Sequence, residues 1–167
     1  MTAEPTMVVL MTGGSRGIGR AMALRLAQAG AAVVLAAKTD QPHPRLAGTI
    51  HSVAAEIEAL GGQALPLKVD ARDEAQLVAA VQQTLQRFGR LDLLINNAGF
   101  LGLTPIEHTS TKHYDLMHAL NSRAPLITLR ESAAALQQSG GMVVNLCPPI
   151  NLDPGWLGAF APYTSTK

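Results

Sequence analysis

The turn Thr12-Gly13-Gly14-Ser15-Arg16-Gly17-Ile18-Gly19 constrains this chain more than any other stretch. It follows the apolar run MVVLM at 7–11, which reads as a buried parallel strand, and precedes AMALRLA at 21–27, a strong helix former. Glycines at such a strand-to-helix junction let the backbone bend sharply. They also let a phosphate approach the free N–H groups near Ile18 and Gly19, at the positive end of the helix dipole. A pyrophosphate fits that cradle; tight packing of helix on strand is the other use of the same glycines. The spacing is not that of an ATP-binding loop, because Arg20-Ala21 follow Gly19 where a lysine and a hydroxyl residue are needed to hold phosphates and Mg²⁺.

Downstream, the pattern alternates strand and helix. The first helix should stop near Gly30, and AVVLAA at 32–37 forms a second strand. An NAD site wants an acid at the end of that strand to take the ribose 2′-hydroxyl. This chain offers Lys38, with Asp40 two positions on. Together with Arg16, Lys38 puts two cations where a 2′-phosphate would lie, which favours NADP, with NAD the other candidate; ordinary solvated charges are the plain reading. Residues 41–48, with Pro42 and Pro44, read as an extended loop. Ile50, Val53, Ala54, Ile57 and Leu60 keep helical spacing until Gly61-Gly62.

A third strand at 64–69 ends in Asp70, read either as an acceptor for an adenine amino group or as a helix-capping or loop acid. Asp73-Glu74 open the next helix, Leu77, Val81, Leu85 and Phe88 form its buried stripe, and Gly89 stops it. The fourth strand, 91–95, runs into Asn96-Asn97-Ala98-Gly99, on the edge where open α/β sheets bind ligands. A long helix is expected over 111–138. His108, His113 and His118 fall about 140° apart around it, which is no metal pair, so no metal is expected. Pro125 removes the helical partner of the Asn121 carbonyl, predicting a kink whose amide and carbonyl can hold water. After Gly140-Gly141, residues 142–146 make a fifth strand. Five strands separated by helices imply an α/β fold, a Rossmann-type doubly wound parallel sheet in the order 3-2-1-4-5.

Composition narrows the function classes. A net charge of +1 and 4% aromatic residues give no case for a nucleic-acid partner. The single cysteine, Cys147, excludes an internal disulfide and fits a reducing compartment. Without a signal-peptide pattern or an apolar run of ~18 residues, the expectation is a cytoplasmic protein with no membrane span. At 167 residues the chain suits one dinucleotide-binding domain, 1–167.

Thr12 with Gly13, Gly17 and Gly19, then Asp70, residues 96–99, Asn121, and Tyr163 with Lys167 as Tyr-x-x-x-Lys, stand in one order and spacing. In this the chain resembles the short-chain dehydrogenase/reductase family over essentially its whole length. The resemblance implies an NADP(H)-linked oxidoreductase that interconverts a carbonyl and a secondary alcohol. Tyr163 would be its general acid/base, Lys167 would favour the phenolate and bond the nicotinamide ribose, and Asn121 would hold a relay water. Working at neutrality would require the phenol to fall from ~10 to ~7, on the order of 4 kcal/mol. Cofactor contacts would come from Gly13, Ser15, Arg16, Gly17, Ile18, Gly19, Lys38, Asp70, Ala71, Asn97, Ala98, Gly99, Tyr163 and Lys167. Leu101, Leu103, Leu152, Trp156 and Phe160 near the presumed pocket point to a small apolar carbonyl or alcohol substrate. A homodimer or homotetramer is implied for a full-length chain.

Two departures from the family pattern stand out. Residues 140–162 contain no Ser or Thr, although a serine is expected there to bond the substrate oxygen; Pro148 takes about that place and Cys147 is the nearest weak donor. Loss of such a donor typically costs on the order of 10²–10³ in rate. The family's chains also continue past the Tyr-x-x-x-Lys motif, so the sequence reads as truncated after the fifth strand, with Tyr163 on a frayed turn and the chain alone inactive. A dinucleotide-binding protein without catalysis is the rival function.

Overall fold

A computed structural model of the chain describes residues 4–148 and 153–167. Its strands are β1 (Met7–Thr12), β2 (Ala31–Ala37), β3 (Gln63–Lys68), β4 (Leu93–Asn96) and β5 (Met142–Asn145). The helices are α1 (Gly17–Gln28), α2 (Ile50–Ala59), α3 (Glu74–Phe88), α4 (Thr111–His118), α5 (Ala124–Ser139), α6 (Pro154–Gly158) and α7 (Ala161–Thr164). All strand pairings are parallel and the order is β3-β2-β1-β4-β5, as the alternation of strand and helix predicts.

Side chains alternate across each strand, so the sheet has two apolar faces and both are covered. Val9 and Met11 of β1, Val33 and Leu35 of β2 and Ile95 of β4 pack with Ala23 and Ala27 of α1 and with Ile50, Val53 and Ile57 of α2. Leu10, Val34 and Leu94 point the other way, onto Leu77 and Val81 of α3 and Ile127 and Leu136 of α5. The strands that pair on both sides, β2, β1 and β4, read as nearly continuous apolar runs for this reason. Pro66, paired with Leu35, is tolerated because β3 lies at a sheet edge and owes no further N–H. The opposite edge strand, β5, leaves Met142 and Val144 exposed.

Local chemistry sets the element ends. Thr49 and Ser52 form a reciprocal capping box on α2, Asp73 caps α3 and Ser110 caps α4. Gly89 closes α3 in the left-handed conformation. β4 begins at Leu93, later than the apolar pattern proposes, because the Asp92 carboxylate accepts from the Val8 N–H at 2.7 Å and from Arg90 at the entry to the strand. The helix expected over 111–138 is two helices joined by a π-helical turn, residues 119–123. Pro125 has no N–H to donate, and the backbone answers by winding in one extra residue around Asn121 in place of an open kink. Among the described residues no helix is long and apolar enough to cross a membrane.

Leu94 is fully buried in β4, against α3 and α5. Leu94→Ala should lower unfolding free energy by about 2–5 kcal/mol, read as a fall in the urea midpoint with little change in slope.

Candidate active site

The site begins where β1 and β4 release the chain on the same edge of the sheet. The Thr12 hydroxyl accepts from the N–H groups of Asn97 and Ala98, each at 3.1 Å. In return the Asn97 amide donates to the carbonyls of Thr12 at 3.1 Å and Gly13 at 2.9 Å. The two loops therefore run side by side at backbone contact. A Cβ on Gly19 would stand 2.3 Å from the Gly13 carbonyl oxygen, so tight packing does claim this glycine. Gly17 differs: at φ +54° it turns the chain left-handed into α1, with nothing within 4 Å of where a Cβ would stand. The helix that follows has no side-chain cap at Arg16, in contrast to α2, α3 and α4. Its first-turn N–H groups are thus left for an anion.

They border a cleft of about 540 Å³ whose walls include Gly13, Ser15, Arg16, Ile18, Gly19, Lys38, Asp70, Ala71, Asn97, Ala98 and Gly99. Every residue that the resemblance assigns to the cofactor is on this wall except Gly17, Tyr163 and Lys167. At one end the Arg16 guanidinium donates to the Thr39 hydroxyl at 2.6 Å. Lys38 lies 3.5 Å from the Asp70 carboxylate. Arg72 grips the same carboxylate through Nε at 2.9 Å, through Nη2, and through its backbone N–H at 3.1 Å. Hydrogen bonding from Arg72 holds the Asp70 carboxyl far below the ordinary carboxylate range. The helix-capping reading of Asp70 is thereby corrected, since Asp73 caps α3 and Asp70 faces the cleft. Arg72 itself escaped sequence reasoning: it lies on the cleft wall, and only its place two residues after Asp70 marked it.

A second hollow, about 430 Å³, shares Ile18, Asn97 and Gly99 with the first and adds Phe100, Leu101, Leu146, Cys147, Pro148, Tyr163 and Lys167. Leu103 and Phe160 are not among its lining residues. Leu152 lies outside the described residues, as does the side chain of Trp156. The Lys167 ammonium donates to the Leu146 carbonyl at 2.8 Å. A Cβ on Gly99 would come 3.0 Å from the Asn121 amide oxygen and 3.4 Å from Lys167 Nζ, so these three groups meet at one corner.

The Asn121 amide does not stand free for water. Its oxygen accepts from the Phe100 N–H at 2.9 Å, and its nitrogen donates to the Phe100 carbonyl and the Thr166 hydroxyl, both at 3.0 Å. Ser122 donates to the Thr166 carbonyl at 2.7 Å. The end of the turn bearing Tyr163 is therefore hydrogen-bonded to the π-helical segment. Opposite to the fall expected for work at neutrality, burial, then the nearby Cys147, pushes the Tyr163 phenol up, while burial pushes the Lys167 ammonium down. His108, His113 and His118 are exposed, and no group of His, Cys, Asp and Glu fit to hold a metal occurs among the described residues.

Known proteins resemble this chain in sequence and fold. The family model for short chain dehydrogenase matches residues 7–167. Human hydroxysteroid dehydrogenase-like protein 2 is 47% identical over 160 residues, 95% of this chain and 38% of that protein. The rat protein of the same name is 48% identical over 160 residues, 95% of this chain and 30% of its own length. The chain thus spans only about a third of the length of these curated relatives. Among solved structures, a short chain dehydrogenase from Mycobacterium thermoresistibile superposes with a TM-score of 0.92 at 40% identity, covering 99% of this chain and 59% of that one. A metagenomic short-chain oxidoreductase in complex with NADP gives a TM-score of 0.86 at 31% identity, over 98% of this chain and 71% of that one. Likeness of this extent, running from the first strand through the corner that carries Tyr163, assigns the chain to the short-chain dehydrogenase family.

Proposed function

We propose that the chain forms the cofactor site and reaction centre of an NADP(H)-dependent oxidoreductase that interconverts a carbonyl and a secondary alcohol on a small apolar substrate. One observation carries the reading: the hollow lined by Tyr163 and Lys167 opens off the glycine-turn cleft through a shared wall of Ile18, Asn97 and Gly99. A dinucleotide laid along the first cleft presents its far end to the second. The uncapped start of α1 and the open space at Gly17 fit its diphosphate. Arg16 and Lys38 fit a 2′-phosphate, and a structural relative that holds NADP supports that choice. When bound, the nicotinamide supplies or accepts the hydride.

The chain's own residues handle the proton. A phenol raised by burial keeps its proton at neutral pH, so Tyr163 is set to donate to a carbonyl oxygen, as general acid in the reducing direction. Lys167, anchored on Leu146 and adjoining Asn121, is the group through which that proton is replaced. With the Asn121 amide committed to Phe100 and Thr166, its main-chain carbonyl, which Pro125 has no N–H to satisfy, would hold the relay water. Cys147 is the donor nearest the expected serine position, and Leu101 and Phe100 supply apolar lining. A second reading, a dinucleotide binder without turnover, is favoured by the lack of Ser or Thr across 140–162. A cytoplasmic location, and a homodimer or homotetramer of the full-length protein, belong to the same proposal. Leu126 and Leu129 of α5 are exposed at 64% and 40%, as a subunit contact would require.

Gly19→Ala drives a methyl group into the Gly13 carbonyl, and NADPH affinity measured by calorimetry should fall at least about tenfold, equivalent to ~1.4 kcal/mol. Tyr163→Phe should retain NADPH binding while turnover with a panel of ketones and aldehydes drops by about 10²–10⁴. In the longest available chain, binding with no turnover in either form would establish the non-catalytic reading. Reduction rate should hold level through neutral pH and decline only above the ordinary phenol value of 10, because the folded site raises the proton affinity of Tyr163.

A further inference from the structure

We infer that Thr39 and Gly48, which bracket the loop between β2 and α2, are positioning residues that fix Arg16 at the cleft mouth and so set the preference for a 2′-phosphorylated dinucleotide. The inference rests on the reading of the cleft given above. β2 ends at Ala37 and α2 starts at Ile50, a longer connection than the 2–6 residues usual between strand and helix. The loop returns onto the glycine turn at two places. At its start, the Thr39 hydroxyl accepts from the Arg16 guanidinium at 2.6 Å. At its end, Gly48 sits at φ +93°, where a Cβ would stand 2.4 Å from the carbonyl oxygen of Ser15, the residue before Arg16. Backbone and side chain of Arg16 are therefore both set by this loop.

The loop is itself anchored. The Ile50 N–H donates to the Thr39 carbonyl at 3.0 Å, next to the Thr49 and Ser52 capping box of α2. Thr39 is thus a fixed post for a long side chain. Charge makes the arrangement selective. Lys38 and Arg72 share the Asp70 carboxylate, whereas Arg16 has no carboxylate partner among the described residues. Its anchor is a neutral hydroxyl, which orients the cation without cancelling it. An arginine held in one rotamer beforehand gives up less freedom when an anion arrives. NADPH carries that anion on its 2′-oxygen and NADH does not, so the anchor should matter to one cofactor alone.

The test is a set of titrations of the full chain with NADPH and NADH, on wild type, Thr39→Val, Thr39→Ser, Arg16→Ala and the Arg16→Ala/Thr39→Val double variant. Thr39→Val should weaken NADPH by about 3- to 10-fold and leave NADH within about twofold, with the melting temperature unchanged. Thr39→Ser should restore NADPH affinity, because the hydroxyl returns. On the Arg16→Ala background, Thr39→Val should cost nothing further. Gly48→Ala should shift NADPH in the same direction as Thr39→Val. An unchanged NADPH affinity in Thr39→Val, an equal loss for both cofactors, or an undiminished loss on the Arg16→Ala background would overturn the inference. If wild type binds neither cofactor, the reading of the cleft itself fails, an outcome distinct from the others, and the inference falls with it.

Discussion

Four hydrogen bonds between Thr12, Gly13, Asn97 and Ala98 hold the functional edge of this sheet together. They join the ends of two adjacent strands that the sequence separates by about half its length. With them in place, the glycine turn lies against the loop after β4 at main-chain distance, and the cleft wall and the wall of the second hollow become one surface. The ladder between β1 and β4 delivers the two ends in register, Thr12 opposite Asn96. The side chains of Thr12 and Asn97 then continue that ladder after the backbones diverge. A threonine and an asparagine suffice because one hydroxyl accepts from two backbone N–H groups and one amide nitrogen donates to two carbonyls.

A second polar path runs beneath the first. Thr128 of α5 donates to the Asn96 amide oxygen at 2.8 Å, and the Asn96 amide donates to Asn145 at 2.9 Å. This carries the alignment from helix to β4 to β5, and so to Leu146, whose carbonyl receives Lys167. The two neighbouring asparagines face opposite ways, as successive residues on a strand must. Asn97 ties the glycine turn, and Asn96 ties the outer strand.

Much of this was legible from sequence because the governing signals are local and periodic. The apolar runs at β1 and β2, the stripe of Leu77 and Val81 on α3, and Gly89 at its end follow from residue type and spacing alone. So does the sheet order, which short right-handed connections nearly dictate. Illegible were pairings between residues far apart in the chain. Nothing in the sequence tells that Arg16 meets Thr39, that Arg72 occupies Asp70, or that Asn121 spends its amide on Phe100 and Thr166. Pro125 announced a disturbance in its helix, but whether a helix answers a missing N–H by bending or by widening depends on what its side chains can reach, here a corner built by residues more than forty positions on.

The widened turn has one more consequence. A π insertion is an α-helix carrying a surplus residue, and each residue of α-helix rotates the chain by about 100°. Losing that surplus would swing α4 around its axis relative to α5, taking Met117, now fully buried, out of the interior and exchanging Asn121 for a neighbour at the Thr166 corner. The single additional position thus works as a phase adjuster, letting one length of helix satisfy two surroundings whose orientations an unbroken spiral cannot meet at once.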